Sequence, residues 1–138
     1  MNETIVSVRD LSVRYRTREA TTYAVDRVSF DLSRGKVLAL VGESGSGKST
    51  VAMALLRILP SQATITSGSV LFDGRELMDL SDKELRAVRG RRIAMIFQDP
   101  IAGLNPVISI GDQVAETLTS HLQIPKKEAK ARALGILR

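Results

Sequence analysis

The pattern of apolar and polar residues in the first quarter of the chain predicts antiparallel β-strands. Apolar side chains alternate with polar ones along residues 5–15, but the alternation changes phase near residues 9–10. Because a change of phase turns side chains to the opposite face of a sheet, we expect a bulge or a strand break there. Residues 16–22 are polar and predict a hairpin-like loop. Residues 28–32 alternate again and predict a second, half-buried strand.

Two continuous apolar runs have a different pattern. Residues 37–41 (VLALV) and 93–97 (IAMIF) contain no polar side chain. Such runs are typical of strands that are covered on both faces in a parallel sheet. Residues 69–72 predict a further short strand, and the dipeptide Asp73-Gly74 after it predicts a turn.

Four segments have the features of helices. Residues 48–59 carry an apolar stripe at helical spacing. Ser81 followed by Glu84 resembles a capping box that opens a short helix. Residues 110–122 also predict a helix, and Pro125 suits the first turn of a last helix that runs toward the end of the chain.

A glycine-rich segment between the first apolar run and the first helix carries the clearest chemical signal. Residues 42–49 (GESGSGKS) fit the pattern G-x-x-x-x-G-K-[ST]. Its glycines allow backbone N–H groups of residues 45–50 to turn inward around phosphate oxygens, and the helix that follows directs its positive end at the same anion. Lys48 can neutralise the β- and γ-phosphates, and the Ser49 hydroxyl can bind Mg²⁺. The motif alone does not distinguish kinases, GTPases and ATPases.

Composition narrows the remaining classes of protein. The 138 residues include no cysteine, which excludes a disulfide scaffold and a thiolate metal site. No apolar run approaches the ~20 residues that a membrane-spanning helix needs. The first ten residues lack the basic and then apolar pattern of a secretory signal, so none is expected.

The net charge of +5 is compatible with an anionic partner. The positive residues are scattered, with one cluster at Arg86, Arg89, Arg91 and Arg92, which we interpret as a solvated face. Aromatic residues make up only 4% of the chain, which is poor for stacking nucleic-acid bases. The single histidine, His121, is expected to be structural or solvated.

From residue 15 to residue 113 the chain resembles the ATP-binding domain of ABC transporters. The run 96–100 (IFQDP), with 104–106 (LNP) and 110–113 (IGDQ) after it, is similar to the dipeptide, oligopeptide and nickel importer group in particular. Gly103 is a small departure, because this group commonly has serine there. Further resembling segments are 24–30 (AVDRVSF), 41–50 (VGESGSGKST) and 67–74 (SGSVLFDG).

The resemblance implies roles for individual residues. Gln98 corresponds to the Q-loop glutamine, which in the family contacts Mg²⁺ and the attacking water and links the nucleotide site to the membrane subunit. Lys48 and Gln98 are therefore the expected catalytic residues, and Ser49 and Gln98 the expected metal ligands. The family also stacks an aromatic residue on adenine, for which Tyr15 is favoured and Tyr23 is the competitor. The expected nucleotide-binding residues are Tyr15, Gly42, Glu43, Ser44, Gly45, Ser46, Gly47, Lys48, Ser49, Thr50 and Gln98.

The implied fold is an α/β P-loop NTPase fold of the ABC-type ATPase class. Residues 1–98 are expected to form the N-terminal part of the ATP-binding core, with its antiparallel β region, and residues 99–138 the start of the helical subdomain. The implied cofactors are ATP and Mg²⁺. The implied function is the ATP-binding component of a peptide importer at the cytoplasmic face of the inner membrane. Its implied partners are transmembrane permease subunits, a second ATP-binding subunit and, indirectly, a periplasmic solute-binding protein.

Several parts of the family pattern do not occur in these residues. After Gln113 there is no apolar strand that ends in paired acids, no Leu-Ser-Gly-Gly segment and no later switch histidine. The fold is therefore expected to be truncated, and the isolated chain to bind ATP weakly at most and to hydrolyse it negligibly. Two alternatives stay open: a non-transport ABC-type ATPase that acts on nucleic acid, although no nucleic-acid partner is expected, and a non-catalytic remnant.

Overall fold

A computed structural model describes residues 3–101, 103–122 and 124–137. The chain forms two compact units, Met1–Leu85 (unit 1) and Arg86–Arg138 (unit 2), and each is described by itself. The strands are β1 Thr4–Arg16, β2 Thr21–Ser33, β3 Ala63–Phe72 and β4 Arg75–Glu76. The helices are α1 Lys48–Leu55, α2 Asp82–Val88, α3 Ile110–Leu122 and α4 Lys126–Ile136. None of these helices is long enough to cross a membrane.

Unit 1 is built around a four-stranded antiparallel sheet with the strand order β2-β1-β3-β4. The central strand β1 pairs with β2 on one side and with β3 on the other. Its side chains Val8, Leu11 and Val13 are fully buried, as is Val70 of β3. The predicted antiparallel region is therefore confirmed.

The predicted irregularity in β1 is also confirmed. The register of β1 shifts between Val8 and Leu11 against β2, and Asp10 has a positive φ of 47°. On the neighbouring strand, Gly68 has a φ of 107°, and a Cβ atom there would lie 2.5 Å from the Cα atom of Leu11. The bulge therefore requires glycine at the position where β3 passes it.

The predicted strand at residues 69–72 was too short, because β3 begins at Ala63. Its first half carries only a short alternation, in which half-buried Ala63 and Ile65 are separated by an exposed threonine, and its pairing with β1 sets its length. The predicted turn after it is confirmed: Asp73 and Gly74 have φ values of 50° and 76° and connect β3 to β4.

The predicted strands at residues 37–41 and 93–97 are not strands in this structure. Val37 and Val41 are 97% and 94% exposed in unit 1, and Ile96 is 91% exposed in unit 2. A strand is defined by its ladder of hydrogen bonds to a neighbour. Within the described residues, the first run pairs with no strand and the second makes only an isolated bridge between Arg89 and Ile93.

Helix α1 is shorter than predicted, because it ends at Leu55 and not at Leu59. Arg57 has a positive φ of 50°, its N–H donates to the Ala54 carbonyl at 3.0 Å, and the Ile58 N–H donates to the Met53 carbonyl at 3.0 Å. These two bonds form a Schellman motif, which ends the helix although no glycine is present.

In unit 2, α3 has the predicted bounds. The predicted last helix is present as α4, but Pro125 is its N-cap residue and does not lie in its first turn. The two helices pack through small side chains: Ala115, Ala129 and Ala133 are buried, with Leu118 packed against them.

The predicted capping box is confirmed at the start of α2. The Ser81 N–H donates to Glu84 Oε2 at 2.9 Å, and the Glu84 N–H donates to Ser81 Oγ at 3.4 Å. The division of the chain into an ATP-binding core at residues 1–98 and the start of a helical subdomain at residues 99–138 stays a prediction.

Candidate functional site

The glycine-rich segment forms a bent loop that leads directly into α1. Gly45 and Gly47 have φ values of 82° and 90°, which place both residues in the left-handed region. The Ser46 N–H donates to the Glu43 carbonyl at 3.2 Å and closes a turn inside the loop. Glycine is therefore favoured at both positions, although the sequence pattern specifies it only at Gly47, because a residue with a Cβ atom is strained in the left-handed region.

The Lys48 side chain folds back over this loop. Its ammonium group donates to the Gly42 carbonyl at 2.8 Å, to the Glu43 carbonyl at 2.6 Å and to Ser46 Oγ at 3.1 Å. An ammonium group has three hydrogens to donate, so the loop satisfies it completely. The positive charge of Lys48 consequently lies against the loop, where a phosphate group held by the loop would need it.

The N-terminus of α1 is open to an anion. The first N–H groups of a helix have no partner within the helix, and here Gly47 at the cap supplies no side chain to accept from them. No acidic residue lies in the first turn either. Ser49 is exposed, so its hydroxyl is accessible, whereas Thr50 is buried and anchors the helix. The helix dipole and these N–H groups therefore favour a bound anion.

Strand β2 supports the loop from one side. A Cβ atom at Gly47 would lie 2.2 Å from the Ala24 carbonyl oxygen, so the loop backbone passes directly over β2. Val25 and Val51 are nearly fully buried. A cavity of about 300 Å³ separates the rest of the loop from the strand, and its lining includes Lys48. The loop is thus held by close backbone packing at Gly47.

Of the two tyrosines considered for adenine stacking, neither lines this cavity. Tyr15 is half-buried near the end of β1 and lies opposite Thr22 and Ala63. Tyr23 lies in β2 and is 57% exposed. Both side chains belong to the sheet of unit 1, and the choice of Tyr15 stays a prediction.

Gln98 lies in unit 2, in an exposed bend after the second apolar run. The loop and Lys48 lie in unit 1, and the joint role of Lys48 and Gln98 in catalysis stays a prediction. The described residues also contain no group of three or more acidic or histidine side chains that could bind a metal ion. The Ser49 hydroxyl and the Gln98 amide stay the predicted ligands of Mg²⁺.

Gln113 has a structural role that the sequence did not reveal. Its Oε1 atom accepts from the Asn105 N–H at 2.9 Å, and its Nε2 atom donates to the carbonyls of Asn105 at 3.0 Å and Ile108 at 2.8 Å. One side-chain amide thus fixes both ends of the turn at residues 105–108. The eight-residue separation of Asn105 and Gln113 gave no periodic signal, because a helix and a loop are paired here.

Comparison with known proteins gives one family. A family model described as "ABC transporter" matches residues 25–137. The peptidoglycan transport ATP-binding protein YejF of Agrobacterium fabrum is 51% identical over 96% of this chain and 24% of its own length. The dipeptide transport ATP-binding protein DppD of Bacillus subtilis is 45% identical over 98% of this chain and 41% of its own length. The chain therefore spans less than half the length of these curated relatives.

A solved structure gives the same result for the fold. The dimeric ATP-binding cassette MJ0796, in a post-hydrolysis state bound to ADP and phosphate, matches with a TM-score of 0.76. It is 27% identical, and the match covers 96% of this chain and 55% of that chain.

Proposed function

The chain belongs to the ABC transporter family, and from that premise we propose that it is the ATP-binding component of a peptide importer. Membership in the family implies nucleotide binding. ATP binding and hydrolysis would drive the import of dipeptides or oligopeptides across the inner membrane. The observation that carries the proposal is the bent loop at residues 42–47, with Lys48 folded over it and an uncapped helix N-terminus behind it.

These groups suit a triphosphate. The N–H groups at the start of α1 would donate to phosphate oxygens, and Lys48 would exchange its three loop acceptors for the β- and γ-phosphates. The accessible Ser49 hydroxyl and the Gln98 amide oxygen would hold Mg²⁺, which supplies charge neutralisation when bound. Tyr15 would stack on adenine. Glu43, Ser44 and Ser46 contribute loop backbone to the phosphate cradle.

The names of the relatives support a peptide as the transported solute. Dipeptide and oligopeptide transport proteins from Bacillus subtilis match nearly the whole chain. Because the named relatives are transport proteins, the alternative of an ABC-type ATPase that acts on nucleic acid is not favoured.

The partners and the cellular location follow from the same comparison. ATP-binding subunits of ABC transporters are membrane-associated, and the related cassette is dimeric. We therefore infer binding to transmembrane permease subunits and to a second ATP-binding subunit at the cytoplasmic face of the inner membrane. A periplasmic solute-binding protein would deliver the peptide to the permease.

The test is the binding of Mg²⁺-ATP, measured by isothermal titration calorimetry, to the wild type and to Lys48→Ala. We expect the substitution to weaken binding at least about tenfold, since it removes charge-assisted hydrogen bonds to phosphate. Lys83→Ala is the matched control, because Lys83 is an exposed lysine of α2 outside the loop. Equal affinities of Lys48→Ala and Lys83→Ala would contradict the proposed role of the loop.

A further inference from the structure

The excess positive charge of the chain is confined to unit 2. Residues 1–85 carry eleven basic and eleven acidic side chains, whereas residues 86–138 carry nine basic and four acidic ones. Unit 1 is therefore neutral, and unit 2 accounts for the whole net charge of +5. A positive field of this kind attracts anions independently of the nucleotide loop, which lies in unit 1.

Part of this charge lines a cleft in unit 2. The cleft has a volume of about 550 Å³ and lies between the last turn of α2 with the turn after it and the last turn of α3. Each side chain in its lining can donate a hydrogen bond, and none is acidic. The lining residues are Arg86, Arg89, Gly90, Ser120 and His121.

The shape of the cleft depends on Gly90. This residue has a φ of 77°, and a Cβ atom there would lie 2.7 Å from Nε2 of His121. The imidazole ring therefore fits directly against a bare backbone, and His121 is one of the residues that line the cleft. His121 was expected to be structural or solvated, and it is half-buried at this position.

Several donors of the cleft are not used inside the protein. Within the described residues, the side chains of Arg86, Ser120 and His121 have no hydrogen bond or ion pair. Other arginines are paired: Arg9 with Asp31 at 2.7 Å, and Arg132 with Glu128 at 2.7 Å. A positive side chain in the last turn of a helix also interacts with the helix dipole. The dipole can account for Arg86 at the end of α2, but it does not explain why Ser120 and His121 at the end of α3 line the same cleft.

We propose that this cleft binds a phosphate-type oxyanion. Arg86 supplies a planar pair of donors that matches two phosphate oxygens, and Ser120 and His121 donate from the opposite wall. Two sources have this chemistry, namely a free phosphate group and the phosphomonoester headgroup of a lipid. The site goes beyond the proposed function, because it shares no residue with the nucleotide loop.

The single histidine of the chain makes the proposal testable by NMR. The ring signals of His121 in the intact protein are followed while inorganic phosphate is added, with sodium chloride at matched ionic strength as the reference. We expect a saturable shift with a Kd of about 1 mM, and none with chloride. Arg86→Gln and Ser120→Ala are expected to weaken binding, the first by about tenfold. Lys127→Gln is the matched control, because Lys127 is exposed on α4 outside the cleft.

A second experiment distinguishes free phosphate from a lipid headgroup as the ligand of the cleft. Binding is measured to vesicles of phosphatidylcholine that contain phosphatidic acid, and to vesicles of phosphatidylcholine alone. Binding to the acidic vesicles that depends on Arg86 and not on Lys127, without a response to free phosphate, supports the site with a lipid headgroup as its ligand. The proposal is overturned if chloride reproduces the shift, if Arg86→Gln and Lys127→Gln act equally, or if neither ligand binds. Binding of Mg²⁺-ATP at Lys48 is measured separately, so failure of one proposal leaves the other intact.

Discussion

Gly45 and Gly47 share a left-handed backbone, with φ values of 82° and 90°, but their surroundings differ. A Cβ atom at Gly45 would meet nothing within 4 Å, whereas one at Gly47 would meet the Ala24 carbonyl oxygen at 2.2 Å. At Gly45, a position that the motif leaves unspecified, only the backbone conformation favours glycine. At Gly47, which the motif specifies, the contact with β2 demands glycine as well.

This difference predicts unequal effects of two alanine substitutions. Gly45→Ala should cost about 1 kcal/mol of stability, the usual cost of a left-handed conformation for a residue with a Cβ atom. Gly47→Ala should cost more, because the loop must also move away from β2, and it should abolish nucleotide binding. Urea unfolding of both variants measures the difference. Equal losses of stability would show that the contact with Ala24 is unimportant.

The carboxylate of Glu76 is a second residue-scale feature with a measurable consequence. Burial by itself raises its pKa, but hydrogen bonds from the Ser69 hydroxyl and from the N–H groups of Met78 and Val70 outweigh that effect. The pKa therefore lies below its ordinary value of 4.5. A depressed pKa means that the charged form stabilises the folded state at pH values above 4.5, and that this stabilisation is lost as the pH falls through the lowered pKa.

We expect Glu76→Gln to be less stable than the wild type by about 1 kcal/mol at pH 7, because a neutral amide accepts these hydrogen bonds less strongly. The difference should shrink as the pH falls from 4.5 through the lowered pKa, where the folded wild type loses its charge. Thermal unfolding of both proteins between pH 7 and the lowered pKa measures this difference in stability. A difference that does not depend on pH would contradict the role of the charge.

At the scale of elements, the sequence correctly predicted the helix starts, helix bounds and turns that depend on neighbouring residues. The capping box before α2, the bounds of α3 and the turn at Asp73 all depend on residues that are close in sequence. The runs at residues 37–41 and 93–97 were predicted wrongly, because an apolar pattern shows a tendency to be buried and cannot supply the neighbouring strand. Gln113 was missed for a related reason, since its partners lie in a loop.

The end of α1 predicts an order among substitutions of Arg57. This residue has a φ of 50°, and its guanidinium group donates to the Leu80 carbonyl at 2.6 Å. Arg57→Ala loses that bond and keeps the backbone strain, whereas Arg57→Gly loses the bond and relieves the strain. We expect the glycine variant to be more stable than the alanine variant by about 1 kcal/mol. Chemical denaturation measures this order, and the reverse order would rule out strain at this position.

The hydrogen bonds from Gln113 to the turn at residues 105–108 predict that this turn opens more often when Gln113 is replaced. In Gln113→Leu the amide of Asn105 loses its acceptor, so its hydrogen exchange should be faster by about tenfold. Gln113→Glu is the matched control, because it keeps an acceptor for the Asn105 N–H and loses only the two donated bonds. Amides of α4 should be unchanged in both variants. An unchanged exchange rate at Asn105 in Gln113→Leu would show that the turn does not need the hydrogen bonds of Gln113 to stay closed.

At the scale of the whole molecule, apolar side chains of both units face the solvent. Val37 and Val41 are almost completely exposed in unit 1, and Ile96 and Val107 are 91% and 87% exposed in unit 2. Runs of this composition readily pair with other chains when they lack a partner strand. The sequence predicted that the runs at residues 37–41 and 93–97 are covered on both faces, and these exposures leave both runs without that cover.

The 138-residue chain should therefore self-associate, through residues 37–41 in particular. Val37→Lys should reduce the apparent mass measured by light scattering after size-exclusion chromatography, because a charge in the run opposes pairing. Ser61→Lys adds the same charge at an exposed turn and serves as the control. A monomeric wild type, or an equal effect of both substitutions, would contradict this prediction.

The three internal bonds of Lys48 have a consequence for how the loop would respond to its ligand. A nucleotide must compete with two carbonyls and a hydroxyl that already satisfy the ammonium group. Binding is then an exchange of partners, in which the displaced carbonyls must turn to water. We expect truncation of Ser46, which removes one rival acceptor, to speed the release of Lys48 and to leave the charge it offers to phosphate unchanged.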